Sequence, residues 1–267
     1  ATRAVFVLTR HDQHARLVLR ALASGKAAFT EKPLALTLEE IAELDAAIAA
    51  AGPGGPMLMV GFNRRFSPAA RAARAFLAST DAPLAASIRF NAGAIAADHW
   101  TQDEAVGGGR IVGEACHAID LATYLVGAPV VRVYAEAIGG PTAPEITNDQ
   151  VFITLRHANG SVSSVAYLAG GDKAFPKERV EVIGGGRVAV IDDFRLLTTC
   201  AHGKTQTRKF DLLGGQDKGH RAEIAAFAEA LTNGGAWPIP WPELRATSAA
   251  AILAVRSLRE GMPFDVE

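Results

Sequence analysis

The apolar positions of this chain keep one rhythm up to residue 61 and another beyond it. Ala4–Leu8 (AVFVL) is a continuous run of β-formers, which predicts a buried strand. It ends in the polar turn Thr9-Arg10-His11-Asp12. Leu17, Leu19, Ala21 and Leu22 then form the apolar side of a helix that stops at Gly25. A second strand is predicted over 27–30, followed by Glu31-Lys32-Pro33. Thr37-Leu-Glu-Glu40 has the spacing of a capping box, in which hydroxyl and carboxylate satisfy each other's orphan backbone N–H groups. Leu38, Ile41, Leu44 and Ile48 continue as one helix face up to Gly52-Pro53-Gly54-Gly55. A third strand is predicted at 57–60, closed by Gly61. Strand–helix–strand–helix–strand predicts a parallel α/β sheet with right-handed crossovers.

Past residue 62 the pattern is mostly strand. After a helix near 68–78, strands are predicted at 85–91, 130–137, 151–156, 161–167, 179–183, 188–192 and 196–200. Hairpin signals at Ala158-Asn159-Gly160 and Gly184-Gly185-Gly186 join two pairs. One helix, 114–125, interrupts them. Two more close the chain, marked by Ile224, Phe227 and Leu231 and by Leu244, Ala251, Leu253 and Leu258. This predicts an α+β domain, a mixed and mainly antiparallel open-faced sheet covered by helices on one face. The boundary falls near Phe62, giving units 1–61 and 62–267, with no internal repeat.

Composition narrows the function. At 267 residues, 49% hydrophobic and a formal net charge of -1, the chain is neither disordered nor basic enough to favour nucleic acid. No stretch approaches the ~20 apolar residues of a membrane span. Cys116 and Cys200 make neither a disulfide framework nor an all-cysteine zinc site, and His11 and His14 have no further cluster to complete a metal centre. No export signal opens the chain, so a soluble, cytoplasmic protein with no nucleic-acid or membrane partner is expected.

Lys32 follows a parallel strand, where α/β sheets bind ligands, and could relay a proton or polarise a carbonyl; on Glu31-Lys32-Pro33 alone, a surface lysine in a strand-to-helix loop is the commoner case. Glu114, His117 and Asp120 are spaced i, i+3, i+6 on one helix, which suits general acid/base work or local hydrogen bonding alike. Cys116 and His117 point about 100° apart and do not form a nucleophile pair. Gly184–Gly186 precedes a strand and reads as a hairpin turn. Gly107–Gly109 reads as a loop at a site edge. No G-x-G-x-x-G in a strand–helix context and no G-x-S-x-G elbow occurs.

Together, Thr9-Arg-His-Asp-Gln-His14, Ala21-Leu-Ala-Ser-Gly-Lys26, Glu31-Lys-Pro-Leu34, Gly61-Phe-Asn-Arg-Arg-Phe66, Gly107-Gly-Gly-Arg-Ile-Val-Gly-Glu-Ala-Cys-His-Ala-Ile-Asp-Leu121 and Phe175-Pro-Lys-Glu178 resemble the Gfo/Idh/MocA family of NAD(P)-dependent oxidoreductases. The resemblance implies a Rossmann domain joined to a substrate domain, NAD or NADP as cofactor, and a sugar or polyol hydroxyl as substrate. It places Lys32 and His117 at the chemistry, with Asp120 beside them. Thr9, Arg10, His11, His14, Glu31, Lys32 and Pro33 would border the cofactor; Asn63, Arg64, Trp100, Glu114 and Lys177 would face the substrate. It also implies a homo-oligomer paired through the open sheet face.

Two departures from the family pattern stand out. Many members carry Asp four residues before the histidine; here that position is Gly113, with Glu114 or Asp120 as the carboxylates that could stand in. The strands at Val5, Ala27 and Met57 correspond to strands 4, 5 and 6 of a 3-2-1-4-5-6 sheet, so the pyrophosphate cradle of strand 1 is expected ahead of Thr2. The chain is thus expected to hold a partial Rossmann domain with the nicotinamide side of the cofactor site. A non-catalytic sugar-binding or assembly module of the same fold is the competing reading.

Overall fold

The computed structural model describes residues 2–139, 148–210 and 215–267. Strands β1 (Ala4–Val7), β2 (Ala27–Thr30) and β3 (Leu58–Val60) form a parallel sheet in that order, connected by helices α1 (His14–Ala23) and α2 (Leu38–Ala51). Every residue of β2 and β3 is buried, which is why these strands read as unbroken apolar runs. Both halves of the capping box form at the start of α2: Glu40 N donates to Thr37 Oγ1, and the Glu40 carboxylate accepts from Thr37 N.

The rest of the chain builds a nine-stranded sheet. In chain order its elements and their neighbours are α3 (Pro68–Leu77), β4 (Ala85–Asn91), α4 (Cys116–Val126), β5 (Val130–Ala137), β6 (Gln150–His157), β7 (Val162–Leu168), β8 (Glu178–Gly184), β9 (Arg187–Asp192), β10 (Leu196–Ala201), β11 (Lys204–Lys209), α5 (His220–Asn233), α6 (Trp241–Glu260) and β12 (Phe264–Asp265). The strand order is β11-β10-β9-β8-β4-β7-β6-β5-β12. β4 runs parallel to β7, and the other described pairs are antiparallel. Along β6 burial alternates residue by residue. One face packs on α3, α4 and α6, while Phe152, Val162 and Ile183 stand exposed on other strand positions.

Three features depart from the pattern reading. β11 (KTQTRK) carries no apolar alternation and is exposed throughout, and β12 has two residues, so neither leaves a signal. The helix expected from Glu114 starts earlier, as a π-helical turn over Ile111–Ala115 that runs into α4. The third is tertiary. α5 returns to the parallel sheet, where Phe227 packs among Ala27, Phe29, Met57 and Met59. The last part of the chain thus supplies a layer of the first sheet.

Candidate functional site

The loops after β1 and β2 meet the π-helical turn before α4. His14 ties the two loops together: Nδ1 lies 2.7 Å from Pro33 O and Nε2 3.1 Å from Thr9 O. The Lys32–Pro33 peptide is cis. From this loop Lys32 Nζ donates to the carbonyl of Gly113 at 2.6 Å. Four residues on, His117 is buried, and its Nδ1 has no hydrogen-bond partner. The Phe62 ring stands 6.2 Å from its imidazole, edge to face.

Gly113 explains its own departure from the family pattern. A Cβ there would lie 3.2 Å from His11 Cε1 and 3.2 Å from Gly107 O. The missing side chain leaves room for His11, whose Nδ1 is 2.7 Å from Gly107 O. The expected stand-in carboxylate does not come. Lys32 is held by a backbone carbonyl within the π-helical turn, a distortion often found at functional sites.

Asp120, expected beside His117, is instead gripped by Arg65 through Nε (3.0 Å) and Nη2 (2.6 Å), and Arg65 Nη1 also reaches Glu243 at 2.8 Å. The sequence spacing was right for sharing a helix face, but the deep arginine is the stronger attractor for a fully buried carboxylate. Asn63 and Arg64 are likewise turned inward. Arg64 clasps Glu178 through Nε (3.1 Å) and Nη2 (2.8 Å), Nη1 reaches Asn63 Oδ1, and Asn63 Nδ2 donates to Lys218 O. Glu114 Oε1 meets Lys177 Nζ at 2.7 Å, and its Oε2 accepts from Arg110 at 2.7 Å and from the Tyr167 hydroxyl at 2.5 Å.

The turn after β1 docks on the glycine loop. Asp12 N donates to Val106 O, the His11 ring meets Trp100 edge-on at 4.8 Å, and the Arg10 guanidinium lies 5.6 Å from the Trp100 ring centre. Thr9 stays exposed at the rim. Glu31 folds against Gly61, where a Cβ would come within 3.1 Å of Oε2. The residues that sequence reasoning missed are Arg110, Tyr167, Glu178, Lys218, His220 and Glu223. Glu178 lies within a quoted motif. Tyr167 and Glu223 sit among apolar neighbours and give no local sign of where they point.

Burial sets the electrostatics. It lowers the His117 pKa well below the usual histidine value, and Arg64, Lys32, Lys177 and His220 push the same way, so the imidazole is neutral near pH 7. Burial also takes His11 down to about 4 against the opposing pull of its Gly107 bond. Burial would raise Glu114, but Lys177, Tyr167 and Arg110 overcome it and hold the carboxylate at about 2. Asp120 is pushed up to about 6 by burial, with Arg65 opposing. Glu223 is pushed up to about 9 by burial and by the carboxylates of Glu31 and Asp120. Burial lifts the Cys116 thiol to about 12, so it carries no thiolate at neutral pH. Among the described residues no cluster of three or more His, Cys, Asp or Glu could hold a metal ion, and no helix is long and apolar enough to cross a membrane.

Residues 1–62 match the family described as oxidoreductase family, NAD-binding Rossmann fold, and residues 71–186 match the GFO/IDH/MocA C-terminal domain. The chain is 27% identical over 271 residues to an uncharacterized oxidoreductase, YrbE, of Bacillus subtilis, covering 99% of this chain and 78% of that protein. It is 27% identical over 287 residues to scyllo-inositol 2-dehydrogenase (NAD(+)) of the same organism, with 99% and 78% covered. In fold it is similar to a levoglucosan dehydrogenase solved with NADH and levoglucosan (TM-score 0.81, 22% identity, 99% of this chain and 80% of that one). It is equally similar to an oxidoreductase domain protein from Kribbella flavida (TM-score 0.81, 20% identity, 99% and 80% covered).

Proposed function

We propose, from the premise that the chain belongs to the GFO/IDH/MocA family of NAD-binding oxidoreductases, that Lys32 and His117 carry hydride-transfer chemistry on a hydroxyl of a sugar or polyol. The observation that carries this reading is their placement. Lys32, fixed by the Gly113 carbonyl, reaches the turn that leads four residues on to a neutral histidine whose Nδ1 has no partner.

The residues fit the nicotinamide end of NAD. A buried imidazole nitrogen, His117 Nδ1, is left without a partner beside the loop that carries Lys32. Thr9, Arg10, His11, His14, Glu31, Lys32 and Pro33 would border that end of the cofactor. When bound, the nicotinamide ring takes or returns the hydride. Oxidation breaks the carbinol C–H and O–H bonds and forms C=O. His117 receives the hydroxyl proton, which its neutral state allows. Lys32, its ammonium aimed by Gly113 O, stabilises the charge that grows on the substrate oxygen. His14 holds the two loops in register. Glu114, Lys177 and Trp100 would face the substrate, whereas Asn63, Arg64 and Asp120 act by fixing Glu178, Lys218 and Arg65 behind it. We divide the chain at Phe62 into a nicotinamide unit and a substrate unit. Pairing of two copies through the open sheet face would cover Phe152, Val162 and Ile183.

In the full-length protein carrying this sequence, Lys32→Met should lower kcat at least about a hundredfold while NADH binds within about threefold of wild type. Unchanged turnover would overturn the assignment. Tight NADH binding without turnover in the wild type would favour the non-catalytic module, the reading that Gly113 at the family's aspartate position supports.

A further inference from the structure

The His11 ring is held in one orientation and one tautomer. Its Nδ1 lies 2.7 Å from Gly107 O. A carbonyl only accepts, so Nδ1 carries the ring proton and Nε2 holds a lone pair. The Trp100 ring stands 4.8 Å away, edge to face, and a Cβ on Gly113 would lie 3.2 Å from Cε1. Asp12 N, donating to Val106 O, pins the next residue to the same loop.

Nε2 is the atom these contacts leave over. It has no hydrogen-bond partner among the described residues, although His11 is only 8% exposed. It is not sealed in either: His117 Nδ1 is closed off without a partner, whereas His11 Nε2 is not among such atoms. A lone pair behind so narrow an opening suits a donor that comes from outside the chain.

The opening lies at the reaction centre. Nε2 is one bond from Cε1, the atom set against Gly113, and the carbonyl of the same glycine accepts from Lys32 Nζ at 2.6 Å. Burial takes the His11 ring down to about 4, with Lys32 and His14 pushing the same way against Gly107 and Asp12, so it is neutral near pH 7. Lys32 acts on the charge of both His11 and His117, so both rings lie near its ammonium.

The chemistry of the donor follows. A carboxylate or phosphate brings no proton to a lone pair, and the Lys32 ammonium repels a second cation. A neutral hydroxyl meets both conditions, and a polyol carries one on the carbon beside the one that reacts.

We propose that His11 is a specificity-determining residue that reads the substrate as a vicinal diol: the reacting hydroxyl sits at Lys32 and His117, and the hydroxyl on the adjacent carbon donates to His11 Nε2. This rests on the dehydrogenase reading above and names a residue that selects within its substrate class.

The test follows the ring nitrogens by NMR in the full-length protein carrying this sequence, labelled at histidine. His11 is assigned from His11→Phe or, where that variant does not fold, from His11→Asn. Glucose, myo-inositol and levoglucosan are added in turn to the NADH complex. With at least one of them the Nε2 resonance should move upfield, as a lone pair does when it accepts a hydrogen bond. No movement with any of the three overturns the proposal. So does the full movement with NADH alone, which would assign the ring to the carboxamide of the cofactor. For a polyol that is oxidised, the analogues lacking one or other hydroxyl beside the reacting carbon are then compared. One of them should lose at least about tenfold in kcat/KM in the wild type and no more than about twofold in His11→Phe. The same loss in both proteins overturns the proposal, whereas a merely structural role for His11 would lower all rates and leave that ratio alone. Movement of Nε2 without any NADH formed from NAD would sink the dehydrogenase reading and leave the His11 contact standing; NADH formed without movement does the reverse.

Discussion

Replacing Glu223 with Gln should make the protein more stable, and increasingly so as the pH rises. Glu223 lies in the first turn of α5, is 3% exposed, and leaves Oε1 without a partner. Burial and the nearby carboxylates of Glu31 and Asp120 push its pKa up to about 9, from 4.5 in the unfolded chain. Below 4.5 both states hold the proton and the carboxyl costs nothing. Between 4.5 and 9 the native state must take up a proton that the unfolded state has released. Stability then falls by about 1.4 kcal/mol per pH unit, which reaches about 3 kcal/mol at pH 7. Glutamine keeps the shape and has no proton to take up. Urea unfolding from pH 5 to pH 8 should show Glu223→Gln gaining about 1–3 kcal/mol at pH 7, with the gain vanishing towards pH 4.5. A difference that stays flat with pH, or a variant less stable at pH 7, would refute the assignment of a buried, protonated carboxyl.

Two further outcomes follow from the same electrostatics. Arg64→Met leaves Glu178 buried with Lys218 alone, so urea unfolding should show a loss of about 3 kcal/mol, the low end for breaking a buried pair; a loss below about 1 kcal/mol would contradict the bidentate clasp. Because burial and four neighbouring cationic or titratable groups lower His117, the acid limb of kcat/KM should lie well below the usual histidine value of 6.5; a limb near 6.5 would mean an ordinary, solvated histidine at the chemistry.

The parts legible in the sequence are those governed by local rules. The capping box at Thr37, the apolar runs of β2 and β3, and the alternation along β6 each follow from a few adjacent residues. β11 was not legible because an exposed edge hairpin needs no apolar period, and its six positions are all exposed. The site divides the same way. Lys32, Glu114 and His117 stand in readable motifs, but nothing in those motifs shows which residues pair. The carbonyl that holds Lys32 is 81 residues away, and nothing in the local pattern shows that Gly113 makes room for His11. Asp120 shows the limit of spacing arguments: its helix position allowed contact with His117, and a buried arginine 55 residues back took it. The packing of α5 on the parallel sheet, which brings Glu223 beside Glu31, is a tertiary event with no local trace.

The most direct test of the account is isotopic. A sugar or polyol deuterated at its carbinol carbons is incubated with NAD and the full-length protein, and the NADH formed is read by mass spectrometry. Deuterium transferred to the nicotinamide ring, with the transfer abolished in His117→Ala, is the predicted result. Unlabelled NADH, or undiminished transfer in His117→Ala, would contradict hydride transfer at the Lys32–His117 centre.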